Sequence, residues 1–600
     1  MLHPLIKKYL ALPEGDFLVT GPPGSGKTHT MVGLIGHLIK TNGYDTSKVI
    51  VFCFNRRWAK ILREMTAQAA GISINEIQIT TFFSYCAELI ERDRFLKYLS
   101  GQKSDFTVNI EILTAPQQWK LLKELLLRKD IKKDYPATHK YIQTNKYIAR
   151  SFIQEVFDFI LRAQENLLEP DMLKAELYPM AGDLLYEITG IYKNYKAMLL
   201  DRDYFDYGRL LSESVSILKS NKQLRQFHEK SVETIIVDEF QEINRAQYEI
   251  VKNIPARHRI YFGNDDQCTY AFRGSMRDNF SIVYEKLKKT EKKGSKSAGN
   301  ILFLKRNYRC SNVIMKISEV FINQNVERIQ KTASAIKYED MQDSFVLKEF
   351  RKSLEEINYI CSSIKRNILS RDIRQEKICI IIKGGDYKSR LLEKMLMDNS
   401  IRYLMRSSRS MLDNPYISYM LDFLKLINLL YKIKDEPVSL IKSDNGIISL
   451  LQSVLCSEFT GLDPVKIEIF FKRQIEGEEH GDNKKNNLPG VKGLFGMLKS
   501  SSISGLAEFT DVIERYTGFA DSNILDFVYR FIHDKHTGIL KNILSGPGRK
   551  NFKEENNAII VGDFLGTIKD FSENNLQSNS ISGYLDYLED AIDNSFLEEI

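Results

Sequence analysis

Short apolar runs alternate with amphipathic stretches along the first hundred residues. Apolar positions cluster at 17–20, 49–54 and 77–80, and each cluster predicts a buried strand. The segments that follow the first two clusters, one of them starting at Arg57, carry apolar residues at helical spacing. Strands that alternate with helices in this way are typical of a parallel sheet.

The pattern becomes largely helical from about 99 to 224, and strand-like runs at 234–237 and 259–262 then resume the earlier alternation. One helix is predicted to start after Thr114, a suitable N-cap, with Pro116 in its first turn. A second α/β unit is predicted to start near 299, with strands at 301–304 and 378–382. Beyond about 413 the pattern is again helical and irregular.

Residues 21–28 read Gly-Pro-Pro-Gly-Ser-Gly-Lys-Thr, directly after the first apolar run. The spacing fits the loop G-x-x-x-x-G-K-[ST], in which glycines let backbone N–H groups surround phosphate oxygens. The lysine then reaches the outer phosphates, the threonine hydroxyl faces Mg²⁺, and the next helix turns its positive end toward the anion. A chance match or a purely structural loop is the alternative. The candidate nucleotide contacts are Gly21, Pro22, Pro23, Gly24, Ser25, Gly26, Lys27 and Thr28.

A second candidate site follows the apolar strand at 234–237, which delivers Asp238 and Glu239 at its carboxyl end. Ligands bind at such ends in open α/β sheets. Asp238 is predicted to hold Mg²⁺ together with Thr28, and Glu239 to polarise the attacking water. A solvated turn is the alternative for a lone acidic pair, but the phosphate loop elsewhere in the chain favours a nucleotide hydrolase.

The composition narrows the class further. Six hundred residues predict two to four domains, and the net charge of +7 permits binding to polyanions without requiring it. No run approaches the roughly 20 apolar residues that a bilayer span needs, so we expect a cytoplasmic protein without a membrane partner. The seven cysteines are scattered and never form C-x-x-C, so neither a disulfide framework nor a zinc site is indicated.

Four further segments resemble motifs of the UvrD/Rep/PcrA group of superfamily 1 DNA helicases. They are Val-Phe-Cys-Phe-Asn-Arg-Arg at 51–57 (motif Ia), Thr-Thr-Phe-Phe-Ser at 80–84 (Ib), the segment 262–274 beginning Phe-Gly-Asn-Asp-Asp-Gln (III), and Leu-Lys-Arg-Asn-Tyr-Arg-Cys-Ser at 304–311 (IV). Together with the phosphate loop and the Asp-Glu-Phe-Gln segment at 238–241, they match the order of that family over residues 18–311. The resemblance implies an ATP- and Mg²⁺-dependent 3′ to 5′ DNA helicase or translocase.

The resemblance also implies a fold and a division of the chain. The fold class is α/β: a P-loop NTPase (RecA-like) core with parallel sheets, in which two core domains each carry a largely helical insertion. Residues 1–98 and 225–298 would form the first core domain around an insertion at 99–224. Residues 299–412 would form an incomplete second core domain, followed by a helical insertion at 413–600.

Residue roles carried over from the family complete the expected site. Gln267 would sense the γ-phosphate, Arg309 would contact it, and Tyr308 would stack on adenine. For Tyr308, as for each of the aromatic residues below, burial in the core is the alternative. Contacts to single-stranded or 3′-tailed DNA are expected from Arg56, Phe82, Tyr270, Phe272 and Arg273.

The chain also departs from the family. An upstream glutamine that reads adenine, motif V and motif VI are not found in the sequence, and the chain ends where motif V would be expected to begin. We therefore expect a truncated or split polypeptide that hydrolyses ATP poorly alone and needs a partner chain or a C-terminal extension. Two alternatives stay open: a nucleotide-gated DNA-binding subunit of a repair or antiviral defence complex, and an RNA motor of the same superfamily.

Overall fold

The structure is a computed structural model that divides into two compact units, Met1–Leu347 and Lys348–Ile600. It describes residues 15–42, 45–73, 78–100, 110–128, 130–143, 146–177, 182–269, 277–292, 300–336, 345–369, 378–382, 386–401, 403, 411–412, 414–433, 445–474, 491–540, 552–574 and 579–593.

The strands all lie in the first unit, within the part of the chain that the structure describes. They are β1 (Gly15–Thr20), β2 (Val49–Cys53), β3 (Gln78–Thr81), β4 (Glu111–Ile112), β5 (Tyr204–Phe205), β6 (Thr234–Val237), β7 (His258–Gly263), β8 (Ile301–Phe303), β9 (Arg306–Asn307) and β10 (Ser334–Ala335). Six of them form one sheet in the order β3-β2-β6-β7-β1-β8, and every pairing in it is parallel. The predicted α/β class with a parallel sheet is confirmed.

The described helices of the first unit connect and cover these strands. They are α1 (Lys27–Asn42), α2 (Arg56–Ala70), α3 (Phe82–Leu99), α4 (Ala115–Leu126), α5 (Ile131–Asp134), α6 (Pro136–Ile142), α7 (Lys146–Glu165), α8 (Pro170–Leu177), α9 (Asp183–Asp201), α10 (Tyr207–Ser220), α11 (Lys222–Ser231), α12 (Arg245–Asn253), α13 (Arg277–Lys292) and α14 (Asn312–Ile322). Short 3₁₀ turns lie at Thr46–Lys48, Phe240–Glu242 and Asp265–Gln267.

Alternate residues of the central strands pack into two hydrophobic cores, one on each face of the sheet. In β1, Leu18 belongs to the core that α3, α10 and α12 cover, whereas Phe17 and Val19 belong to the core under α1 and α2. Burial on both faces explains why these strands read as continuous apolar runs. The carboxyl ends of the strands are therefore presented along one edge of a rigid sheet.

The region predicted as a helical insertion contains helices α4 to α10 and the small parallel pair β4–β5. Thr114 precedes α4 as predicted, and its backbone N–H and its hydroxyl each lie 2.8 Å from Oε1 of Gln117. This contact satisfies polar groups that a helix start leaves without intrahelical partners.

The strand at 301–304 differs from its predicted place. β8 pairs with β1 in parallel, with Leu18 opposite Ile301, and so completes the first sheet instead of opening a second α/β unit near 299. Pairing with β8 covers an edge of β1 that would otherwise expose unpaired backbone groups. The compact units divide at 347/348, about 50 residues later than the predicted core-domain boundary.

The second unit is helical within its described residues. Its helices are α15 (Ser353–Leu369), α16 (Asp386–Asp398), α17 (Pro415–Lys432), α18 (Asn445–Leu455), α19 (Pro464–Gln474), α20 (Val491–Lys499), α21 (Leu506–Thr517), α22 (Ile524–His533), α23 (Phe552–Asn574) and α24 (Ile581–Asp593). Residues 378–382, predicted as a strand, form none here. Their apolar residues at 378, 380 and 382 pack against a small core between α15 and α16, so the alternation reflects one-sided burial.

Helix α17 is the centre of the large core in the second unit. Ten of its residues are buried, among them Phe423, whose ring lies 4.3 Å from that of Phe531. A helix that is apolar on nearly all sides is expected at the middle of a bundle. Among the described helices of both units, none combines the length and the hydropathy needed to cross a bilayer.

Candidate nucleotide-binding site

The phosphate loop connects β1 to α1 along residues 21–26. Gly24 and Gly26 have φ angles of 79° and 85°, a left-handed conformation that side chains with a Cβ rarely adopt. Ser25 Oγ is buried there without a hydrogen-bond partner. A buried, unpaired hydroxyl beside the N-terminus of a 16-residue helix fits an anionic ligand.

Lys27, the first residue of α1, extends back over the loop. Its Nζ donates to the carbonyl of Gly21 at 3.1 Å and lies 3.5 Å from Oε1 of Gln267. Burial lowers the pKa of Lys27, the carboxylates of Glu239 and Asp238 raise it, and the guanidinium of Arg309 lowers it. These opposing influences show that the predicted catalytic charges converge on one lysine.

Asp238 follows β6 and is almost fully buried, with 4 % of its surface exposed. Its Oδ1 accepts the backbone N–H of Glu239 at 3.0 Å, and its Oδ2 accepts the indole N–H of Trp58 at 2.8 Å. Burial and the neighbouring Glu239 raise the pKa of Asp238 to about 6, against the effect of the Trp58 hydrogen bond. The free lone pairs of this carboxylate and the half-buried Thr28 are oxygen ligands of the kind that Mg²⁺ takes.

Sequence reasoning missed Trp58, which lies in the first turn of α2. Its backbone N–H donates to the N-cap side chain of Asn55 at 2.8 Å while its indole donates to Asp238. One residue thus forms hydrogen bonds at the helix start and at the carboxylate predicted to hold the metal. The contact arises because β2 and β6 are adjacent in the sheet, which brings the helix after β2 beside the end of β6, and no spacing in the sequence signals it.

A chain of hydrogen bonds runs from Glu239 to Lys27. Gln241 donates to Glu239 at 2.7 Å and accepts the backbone N–H of Asn264 at 2.9 Å. The amide of Asn264 donates to Oε1 of Gln267 at 3.1 Å, the same oxygen that faces Lys27. The predicted water-polarising carboxylate and the predicted γ-phosphate sensor therefore belong to one network.

Asn307 attaches motif IV to the phosphate loop. Its Nδ2 donates to the carbonyl of Pro23 at 2.7 Å, and its Oδ1 accepts the N–H groups of Arg309 at 2.9 Å and Cys310 at 2.8 Å. The side chain is 2 % exposed, so these hydrogen bonds are formed away from water. This role of Asn307 could not be predicted, because an asparagine next to an arginine carries no spacing signal of its own.

Tyr308 lies directly over the loop. Its N–H donates to the carbonyl of Gly24 at 2.9 Å, and a Cβ at Gly26 would lie 3.6 Å from its ring. The ring is 56 % exposed, so its alternative as a core tyrosine does not hold. An exposed aromatic face beside the loop is available for a planar base.

The residues predicted to contact DNA differ in their exposure to solvent. Arg56 is exposed at the start of α2 and lines a groove of about 890 Å³ with Thr80 and Thr81. Phe82 is a correction, since it is 4 % exposed and stacks on Phe52 at 4.4 Å inside the core. A ring held in this way offers no face to a base. Tyr270, Phe272 and Arg273 lie outside the described residues.

A parallel sheet that presents this loop, a buried aspartate and an arginine around a single lysine defines the class of P-loop nucleotide hydrolases. Comparison with known proteins gives the family. Residues 2–288 match the UvrD/REP helicase N-terminal domain, and residues 302–433 match the UvrD-like helicase C-terminal domain. Together the two matches cover more than two thirds of the chain, which therefore belongs to the UvrD/Rep helicase family.

Individual relatives are similar at a distance. The chain is 25% identical over 431 residues to the ATP-dependent DNA helicase Rep of Buchnera aphidicola subsp. Schizaphis graminum, covering 70% of this chain and 59% of that protein. It is 21% identical over 584 residues to the ATP-dependent DNA helicase PcrA of Staphylococcus aureus (strain COL), covering 95% and 70%. The chain thus spans about three fifths of the length of the Rep relative.

Replacing Trp58 by phenylalanine tests the indole contact. The ring would be kept and the donor to Asp238 lost, so we expect Mg²⁺-dependent binding of a non-hydrolysable ATP analogue to weaken about three- to tenfold. A magnesium titration at fixed analogue concentration measures the effect. Trp119→Phe is the matched control, because Trp119 is the other of two tryptophans and is buried in α4. Equal magnesium dependence of the two variants would contradict the assigned contact.

Replacing Asn307 by aspartate tests the link to the loop. The acceptors for Arg309 and Cys310 would remain, but the donor to Pro23 would become an anionic oxygen facing a carbonyl. We expect nucleotide affinity to fall about tenfold, measured by calorimetry. In the control Asn166→Asp, an exposed amide that donates to the carbonyl of Arg162 is altered in the same way, outside the site. Wild-type affinity of N307D would remove the role given to Asn307.

Proposed function

We propose that this chain is an ATP-dependent motor that moves 3′ to 5′ along single-stranded DNA and unwinds 3′-tailed duplexes. The observation that carries the proposal is the convergence of Lys27, Asp238, Gln267 and Arg309 on one loop. Four backbone segments supply groups that phosphoryl transfer requires around a triphosphate. The name of the family and the names of its Rep and PcrA relatives support DNA as the track.

Each residue of the site would have a separate role in ATP hydrolysis. The loop N–H groups and Lys27 would bind the phosphates, and Glu239 would orient the attacking water. Mg²⁺ held by Thr28 and Asp238 would neutralise charge on the phosphate oxygens. Gln267 and Arg309 would stabilise the charge that develops on the transferred phosphate, where a single arginine is worth about 10³-fold or more.

The single-stranded DNA would bind at the carboxyl ends of β2 and β3. Arg56 and Arg57 are exposed at the start of α2, and Arg56 lines a groove with Thr80. Cations and hydroxyls contact a phosphodiester backbone without reading its sequence, which suits translocation. Stimulation of ATP hydrolysis by single-stranded DNA but not by RNA would separate this function from that of an RNA motor.

A cytoplasmic site of action is part of the proposal, and the seven free thiols are compatible with a reducing compartment. We still predict that motifs V and VI come from a partner chain or from additional residues of the same polypeptide. The predicted domain boundaries also stay predictions, except that β8 lies in the first sheet.

Replacing Lys27 by alanine tests the motor. The variant would lose its grip on the outer phosphates, so we expect hydrolysis to fall by at least about 10²-fold while the affinity for single-stranded DNA is retained. Phosphate release with and without DNA, and fluorescence anisotropy of a labelled oligonucleotide, measure the two properties. Lys48→Ala, at the short turn before β2, is the control.

Two results would overturn the proposal. The first is hydrolysis by K27A at the wild-type rate. The second is unwinding of 5′-tailed but not 3′-tailed duplexes by the wild-type chain, which would reverse the direction assigned here.

A further inference from the structure

Four buried charges lie beside Gln267. We call Asp265, Asp266, Arg328 and Lys331 the acid–base cluster; their side chains are 2 %, 9 %, 3 % and 1 % exposed. Two negative and two positive groups make the cluster neutral. It lies wholly in the first unit.

Each carboxylate of the cluster has several partners. Arg328 contacts Asp266 with two nitrogens, Nε at 2.9 Å and Nη2 at 2.8 Å. Lys331 donates to Asp265 and lies 3.1 Å from Asp266. Burial alone would raise the pKa of Asp266, yet Arg328 and Lys331 hold it below its ordinary value. The backbone N–H of Ile329 donates to Asp265 at 2.8 Å.

Burying four charges is an inefficient way to stabilise a fold, because desolvation offsets much of their attraction. Such clusters are better suited to fixing one geometry. The two segments joined here are far apart in sequence, since more than 60 residues separate the acids from the bases.

On the acidic side, the cluster holds the turn Asp265–Gln267, which ends in the predicted γ-phosphate sensor. On the basic side, residues 328–331 lead into β10, which pairs with β9. The backbone N–H of Ile336 donates to the carbonyl of Asn307 at 3.0 Å, and Asn307 binds both the loop and Arg309. A continuous path of contacts thus runs from Gln267 through the acid–base cluster, β10 and Asn307 in β9 to Arg309.

We propose that the acid–base cluster is a positioning unit that holds Gln267 and Arg309 at the spacing of a third phosphate, and that it thereby sets the preference for nucleoside triphosphate over diphosphate. The inference rests on the proposed nucleotide site and deepens it. The phosphate loop itself would bind the inner phosphates through its own backbone N–H groups. Loss of the cluster should therefore weaken binding of the triphosphate and spare the diphosphate.

Lys331→Met and Arg328→Lys in the full chain test this inference. The first removes a buried ammonium, and the second keeps the charge but loses the two-nitrogen contact with Asp266. The readout is the ratio of dissociation constants for ADP and a non-hydrolysable ATP analogue, both with Mg²⁺. We expect the ratio to fall about tenfold in K331M and less in R328K, with unchanged affinity for ADP. Lys331→Arg keeps the positive charge and should therefore retain part of the preference for the triphosphate.

Asp206→Asn controls for simple destabilisation. Asp206 is a buried carboxylate that accepts from Gln164 and from the backbone of Arg209, outside the nucleotide site. The Asp206→Asn variant should have a lower melting temperature but the wild-type ratio of dissociation constants for ADP and the ATP analogue. If K331M does not fold, R328K carries the test.

A folded K331M or R328K with the wild-type ratio would overturn the inference and leave the nucleotide site intact. Equal loss of ADP and analogue binding would overturn it as well, since the cluster would then support the whole site. If the wild-type chain bound neither nucleotide, the proposed function itself would fail.

Discussion

The side chains of Asn307 and Arg309 approach the phosphate loop more closely than any residue other than glycine at position 24 allows. A Cβ on Gly24 would lie 2.7 Å from Cβ of Arg309, and its φ of 79° disfavours a side chain independently. The glycine therefore does two things: it shapes the loop for phosphate and admits the segment that carries Arg309. Because the loop and motif IV share this contact, neither can shift without the other.

The parallel sheet makes this contact possible. Strands β6, β7, β1 and β8 lie side by side in this order, and their carboxyl ends deliver Asp238, Asn264, the loop and the approach to Asn307. Residues separated by almost 300 positions in the chain thus meet because of strand order alone. The hydrogen bonds from Glu239 to Lys27 then join the ends of different strands into one network.

Much of the site could be predicted from the sequence, because Gly24, Lys27, Asp238 and Gln267 belong to motifs with fixed spacing at strand ends. What escaped prediction depends on side-chain direction and on long-range pairing. Trp58 was missed because a helix pattern does not say where an indole points, and Phe82 was misassigned because an aromatic at a strand end suits a core as well as a ligand. β8 was misplaced since periodicity identifies a strand without identifying its neighbour.

Glu239 has φ 46° and ψ 48°, a conformation that costs a residue with a Cβ about 1–2 kcal/mol. Glycine would relieve the strain there but would leave no carboxylate beside Asp238. With the proposed role of Glu239 in orienting water, the position marks a trade-off between stability and activity, in which selection for thermal resistance alone would favour glycine. Substitutions intended to make this protein more thermostable should therefore be chosen at other residues.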